Sequence, residues 1–206
     1  MPLLTKHTTP LWGIWKIEES SEILLSMLDN KESYNSFLSN RMTEGRKCEW
    51  LASRVLVKSL LGEEPEIRYT SAGAPFLLGK TCQISISHTK GYAAVLLTEN
   101  KNAGIDIEFL SDRVRKIRTR FMSTEEDLAI DSIHESEHLL IYWSGKETLF
   151  KMIGQEEVDF KKHLHIKPFK YENEGTFNAT ETRTQKNESF TIHYFVSTEF
   201  VLTRSE

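Results

Sequence analysis

The sequence predicts an α+β fold built on antiparallel sheets. Three observations carry this. Strand-like and helix-like stretches come in groups instead of alternating one by one. The strand-like stretches are short, and polar turns link neighbours. Some helical stretches carry end signals, such as the Thr43 cap and the Gly62 stop. With 206 residues, 39% of them hydrophobic and 27% charged, the chain has enough apolar material for one domain or two small ones.

Leu11 to Ile17 reads as a strand. Ser20 or Ser21 caps a short helix to Met27, which Asp29-Asn30 ends, and a second helix covers Lys31 to Leu38. Thr43 caps a longer helix that runs to Leu61 and stops at Gly62. Leu51, Val55, Leu56 and Leu60 form its apolar face, and Lys47, Arg54 and Lys58 a basic stripe, with Arg46 nearby. Ile67 to Thr70 is a short strand and Ser71 to Pro75 a turn. Gln83 to Ser87 alternates, Tyr92 to Thr98 is the next strand, and Ala103 to Glu108 is expected as its hairpin partner across Glu99 to Asn102. Helices follow at Arg113 to Phe121, Thr124 to Ile133 and Glu137 to Ile153. The last third is strand-like again, at Leu164 to Phe169, Thr176 to Ala179, Phe190 to Val196 and Phe200 to Thr203. A seam near residue 103 divides the chain into an N-terminal lobe, 1–103, and a C-terminal lobe, 104–206.

Composition excludes some functions. A net charge of −4 argues against general nucleic-acid binding, which needs a basic surface. Cys48 and Cys82 are too few for a disulfide framework and lack metal-ligand spacing. Lys6, His7 and Pro10 interrupt the N-terminus, so no signal peptide is expected, and no apolar run reaches bilayer length. The expectation is a cytoplasmic protein, without nucleic acid or membrane as partner and monomeric. Two glycosylation patterns, at Asn178 and Asn187, carry no meaning in that setting.

The chemistry sits in two blocks. Gly104-Ile105-Asp106-Ile107-Glu108 puts two carboxylates two residues apart, on one side of a strand, where both can reach one cation. Trp143-Ser144-Gly145-Lys146-Glu147-Thr148-Leu149-Phe150-Lys151 puts Glu147 and Lys151 one turn apart on a helix, next to Lys146. Taken alone, each has a plain reading: a solvated strand end, and a helix with a surface ion pair. Ser87-His88-Thr89 supplies hydroxyls and an imidazole suited to phosphate oxygens, or a polar turn. Arg113, Arg115, Lys116, Arg118 and Arg120 form either a solvated helix face or a docking surface for an acidic partner. Ser123 and Glu126 have capping-box spacing. His134-Glu135-Ser136-Glu137-His138 matches a zinc-peptidase pattern, but Glu137 sets a charge between the histidines and no third ligand follows at a known spacing.

In this order the blocks resemble the 4′-phosphopantetheinyl transferases, of the long two-lobed type that activates peptide and fatty-acid synthases. The resemblance runs from about Arg46 to Lys151. It comprises Glu49 to Arg54, Gly73-Ala74-Pro75, Ile84 to Thr89, Gly104 to Glu108, Arg120 to Ser123 and Trp143 to Lys151. It implies a pseudo-dimer of two similar α+β lobes, each a small antiparallel sheet with packed helices. The implied co-substrate is coenzyme A, the acceptor a serine of an apo acyl or peptidyl carrier protein, and the cofactor Mg²⁺. Asp106, Glu108 and Glu147 match the family's metal ligands. Lys151, with Lys146 beside it, matches the lysine on the pyrophosphate. His88 and Ser87 match phosphate contacts, and Gly73 and Pro75 a turn at the coenzyme. Arg46 and Arg54 are candidates for the 3′-phosphate. Glu147 is the candidate for accepting the serine proton. Two positions depart from the family pattern: Ala74 stands where Lys or Arg is usual, and Gly145 where larger residues are usual. The competing readings are a zinc metallopeptidase through His134 to His138 and a non-catalytic carrier-binding module.

Overall fold

The strand expected from Leu11 forms, and a further strand precedes it. The computed structural model describes residues 3–38, 42–186 and 188–206; Asn187 lies outside them. The chain forms two compact units, one of Met1–Thr70 with Pro75–Lys101, the other of Ser71–Ala74 with Asn102–Glu206.

In the first unit, β1 (Leu3–Thr8) and β2 (Leu11–Lys16) form an antiparallel hairpin. β1 escaped the sequence reading because polar residues outnumber apolar ones and most of its side chains are exposed. Three helices follow: α1 (Ser21–Ser26), α2 (Lys31–Phe37) and α3 (Glu44–Leu61). Ser20 caps α1 by accepting from the Ile23 N–H, Thr43 caps α3 from the Arg46 N–H, and Gly62 ends α3 in the left-handed conformation. β3 (Ile67–Tyr69) and β4 (Pro75–Leu77) pair across a turn, with proline as the first residue of its strand. β5 (Gln83–Thr89) and β6 (Tyr92–Thr98) complete a sheet of order β1-β2-β6-β5. Leu51, Leu56 and Val55 of α3 pack on Val95, Ala93 and Ile84 of that sheet to form the core.

The second unit starts with β7 (Ile105–Phe109), α4 (Arg113–Phe121), α5 (Thr124–Leu128) and α6 (Glu135–Ile153). A single turn, α7 (Phe160–His163), leads into β8 (Leu164–Ile166), β9 (Glu174–Glu181), β10 (Ser189–Val196) and β11 (Phe200–Arg204). All neighbours in its sheet are antiparallel, in the order β7-β11-β10-β9-β8.

Two expectations fail. The hairpin expected between Tyr92–Thr98 and Ala103–Glu108 does not form. β6 already has β2 on one edge and β5 on the other, so no edge is left, and β7 pairs with β11, setting Asp106 opposite Thr203. The helix expected from Thr124 to Ile133 stops at Leu128. The Asp131 carboxylate accepts from the Ile133 and His134 N–H groups, and the Asp131 N–H donates to His138 Nδ1, which takes the backbone out of the helical pattern.

Gly145 has a packing reason. A Cβ there would lie 2.5 Å from Phe177 Cζ and 3.1 Å from Ile166 Cδ1, so the missing side chain lets α6 rest on the sheet. Phe177 cannot yield freely, since its ring stacks on Phe169 and Tyr194. Gly145→Ala gains up to about 1 kcal/mol of helix propensity and loses about 1–3 kcal/mol to overpacking. The expected result is a net fall in the urea midpoint, partly restored by Phe177→Leu in the same chain.

Candidate active site

The site is built on the contact between β7 and α6. Gly104 permits it: a Cβ there would lie 2.6 Å from both the Thr148 carbonyl oxygen and Met152 Cγ. Thr203, opposite Asp106 on β11, lies 2.7 Å from Thr148 Oγ1 and 2.9 Å from Ser144 Oγ, which fixes the face that looks at α6. Asp106 shares that face with Thr203, because directly paired antiparallel residues point the same way.

Three successive turns of α6 then meet β7. Lys151 donates to Asp106 Oδ1 at 2.8 Å and to the Ile105 carbonyl at 2.9 Å. Trp143 Nε1 donates to Glu108 Oε1 at 2.8 Å. Glu147 lies between them on the helix, at the i+4 position from Trp143 and the i−4 position from Lys151. Burial, and then the Asp106 charge, push the Glu108 carboxyl up to about 7, against the Trp143 hydrogen bond and Lys151. Burial, and then Asp106, also push Glu147 up to about 7; Lys151 opposes this and Glu108 adds to it. The structure thus brings Asp106, Glu108, Glu147 and Lys151 into one electrostatic cluster.

The cluster is not a closed ligand cage. Among the described residues, no three His, Cys, Asp or Glu side chains converge closely enough to hold a metal ion as they stand. Asp106 is turned to Lys151, and Glu108 to Trp143. The donor chemistry nevertheless fits a hard divalent cation, since all three candidates are carboxylates, two of them pushed up by burial and then by neighbouring negative charge that a cation would offset.

Lys146, also expected at the coenzyme, makes its contacts elsewhere. Its ammonium is fully buried and donates to Glu126 Oε2 at 2.8 Å, to the Phe160 carbonyl at 3.2 Å and to the Phe121 carbonyl. Glu126 is a hub as well as a cap. Oε2 also accepts from the Ser123 N–H at 2.7 Å, and Oε1 from the Ile166 N–H at 2.8 Å.

Arg54 is also directed inward. Its guanidinium lies 3.6 Å from the centre of the Trp50 ring and donates to Ser53 Oγ, the Trp50 carbonyl and the Tyr69 hydroxyl. Arg46 stays largely exposed, 3.2 Å from Glu49 Oε2, and His88 Nδ1 lies 3.3 Å from the same oxygen. Ser87 is buried on β5. Gly73 has φ +82° in the turn ahead of Pro75, where a side chain would be strained.

The zinc pattern does not assemble. His138 is fully buried, its Nδ1 accepts from the Asp131 backbone, and burial lowers it to about 4. His134 stacks on Tyr171, and Glu135 is tied to Arg115 and Arg118.

Residues 102–203, about half of the chain, match the profile of the 4′-phosphopantetheinyl transferase superfamily. The chain belongs to this superfamily. It is 30% identical over 115 residues to the 4′-phosphopantetheinyl transferase AcpT of Escherichia coli strain K12 and to that of strain O157:H7, covering 53% of this chain and 59% of each relative. AcpT of Salmonella typhimurium is equally similar, with 60% of that relative covered. The match therefore spans about three fifths of the length of these transferases. The superfamily segment contains the whole β7–α6 cluster, and also Trp143 and Glu126.

Two outcomes follow. Glu126→Ala strands a buried ammonium and should cost about 3–5 kcal/mol in chemical denaturation, whereas Glu126→Gln with Lys146→Met should cost clearly less. The second outcome concerns pH. Glu108 and Glu147 are raised above the ordinary carboxylate value, so their contribution to stability is full below about 4.5 and is lost as pH rises through about 7. In chelator, the urea midpoint of Glu147→Gln should gain on wild type between pH 5.5 and pH 8.5.

Proposed function

We propose that the protein transfers the 4′-phosphopantetheine arm of coenzyme A to a serine of an apo acyl or peptidyl carrier protein. The observation that carries this reading is the Asp106–Glu108–Glu147–Lys151 cluster within the superfamily segment. The serine hydroxyl attacks the β-phosphorus, the bond to the bridging oxygen breaks, and adenosine 3′,5′-bisphosphate leaves. Glu147 accepts the serine proton, directly or through a water. Lys151 supplies positive charge beside Asp106, where pyrophosphate charge needs to be offset. Mg²⁺, held by Asp106, Glu108 and Glu147, would neutralise pyrophosphate oxygens.

Two features support a carrier partner. Arg115 and Arg118 of α4 are engaged by Asp112, Asp127 and Glu135. Arg113, Lys116 and Arg120 lie at i, i+3 and i+7 on the same helix, are exposed, and form one basic stripe suited to an acidic partner. Beside that stripe is a cavity of about 520 Å³, lined by Ile117, Arg120, Trp143, Val158 and Phe160 among others. We read the two units as the lobes of the long type, with the boundary near residue 103, and the protein as a cytoplasmic monomer. Among the described residues, no helix is long and apolar enough to cross a membrane.

The test is intact mass spectrometry of apo carriers incubated with the protein, coenzyme A and Mg²⁺. The expected product is a carrier heavier by one phosphopantetheine arm, with chelator abolishing it. Asp106→Ala and Glu147→Ala should lower the rate by about 10²–10⁴-fold. No arm on any of several carriers, or full activity in both variants, would overturn the reading.

A further inference from the structure

The Trp143 indole N–H has a carboxylate of the acidic pair as its acceptor. A tryptophan used only to fill space needs any acceptor, or water, for its N–H. Here the N–H is directed at a half-buried carboxylate of the acidic pair, at 2.8 Å. The indole has little freedom to turn away: it meets Phe121 edge-on with ring centres 5.3 Å apart, and stacks with Phe160 at 5.4 Å. The donor and the next carboxylate come from one rigid element, since Trp143 and Glu147 are one turn apart on α6. One helix rotation therefore sets both the orientation of Glu108 and the place of Glu147.

We propose that Trp143 is a positioning residue, whose indole N–H fixes one oxygen of Glu108 so that the other is presented for cation binding. The inference rests on the functional reading above. Groups that orient a ligand without touching the metal typically change affinity or activity by about 10–100-fold when removed. A role confined to packing would leave cation affinity unchanged in any variant that keeps the ring system.

The test uses the full chain with Trp143→Phe, and with 3-benzothienylalanine at position 143, which keeps the bicyclic shape and replaces N–H by sulfur. Mn²⁺ binding is measured by electron paramagnetic resonance, independently of turnover. The Mg²⁺ dependence of carrier modification is measured beside it, and thermal midpoints report folding. Both variants should bind Mn²⁺ about 10–100-fold more weakly. Both should also need correspondingly more Mg²⁺, with the rate at saturating Mg²⁺ largely kept. If Trp143→Phe unfolds, the isostere alone decides. If wild type binds Mn²⁺ and transfers the arm, and the isostere binds Mn²⁺ equally tightly, this inference falls and the functional reading stands. If wild type does neither, both fall.

Discussion

The second unit depends on the ion pair between Glu126 and Lys146. Both side chains are essentially removed from water, a state that is tolerable only when every donor and acceptor is satisfied. Here this is met by the ends of four segments: the start of α5 at Ser123, the end of α4 at Phe121, the single turn of α7 at Phe160, and β8 at Ile166. A buried pair of this kind adds little net stability compared with apolar packing, but it discriminates strongly against any arrangement that separates the charges. Its consequence is directional. Lys146 sits next to Glu147, about 100° away around the helix. Anchoring Lys146 into the α4–α7 side fixes the rotation of α6, and that rotation turns Trp143, Glu147 and Lys151 toward β7.

The cluster thus presented is one that the fold has to tolerate. Three carboxylates and one ammonium share a partly dry space, and two of the carboxyls are more comfortable protonated. Lys151 offsets part of the repulsion by lying against Asp106 and the Ile105 carbonyl. The remainder is borne by surrounding packing: buried Ile105 and Ile107 on the same strand, the close approach allowed by Gly104, and the Ser144–Thr203–Thr148 hydroxyl network on the neighbouring strand. Local destabilisation of this sort is typical of sites made to receive something that the resting chain does not contain.

Much of the architecture was legible because its signals are local. Thr43 and Gly62 mark α3, Ser123 and Glu126 mark α5, and the alternation of Ile105, Asp106, Ile107 and Glu108 marks a strand with its acids on one side. What escaped depends on partners distant in sequence. The pairing of β7 with β11 closes a loop of roughly ninety residues, whereas the expected β6–β7 hairpin needed only a turn. The early end of α5 rests on His138, seven residues beyond the Asp131 N–H that it receives. Lys146 and Lys151 look alike in the sequence, five residues apart in one motif, yet one is buried beneath α4 and the other faces Asp106. Only the identity of the elements packed on each side of α6 separates them.

The same logic separates the arginines of the first unit. Arg54 shares α3 with Arg46, and both are basic residues of one helix, but burial divides their roles. The Arg54 guanidinium is spread over Trp50 and bonded to Ser53 and Tyr69, so its charge serves to join α3 to β3. Arg46 remains at the surface beside Glu49, and the same carboxylate oxygen is close to His88 on β5. One acid thereby holds two potential cations near each other, across a helix and a strand. An anionic ligand there would have to compete with Glu49 for both. Burial thus separates Arg54, which is fixed inside, from Arg46, which lies at the surface, and Glu49 links Arg46 to the half-buried His88.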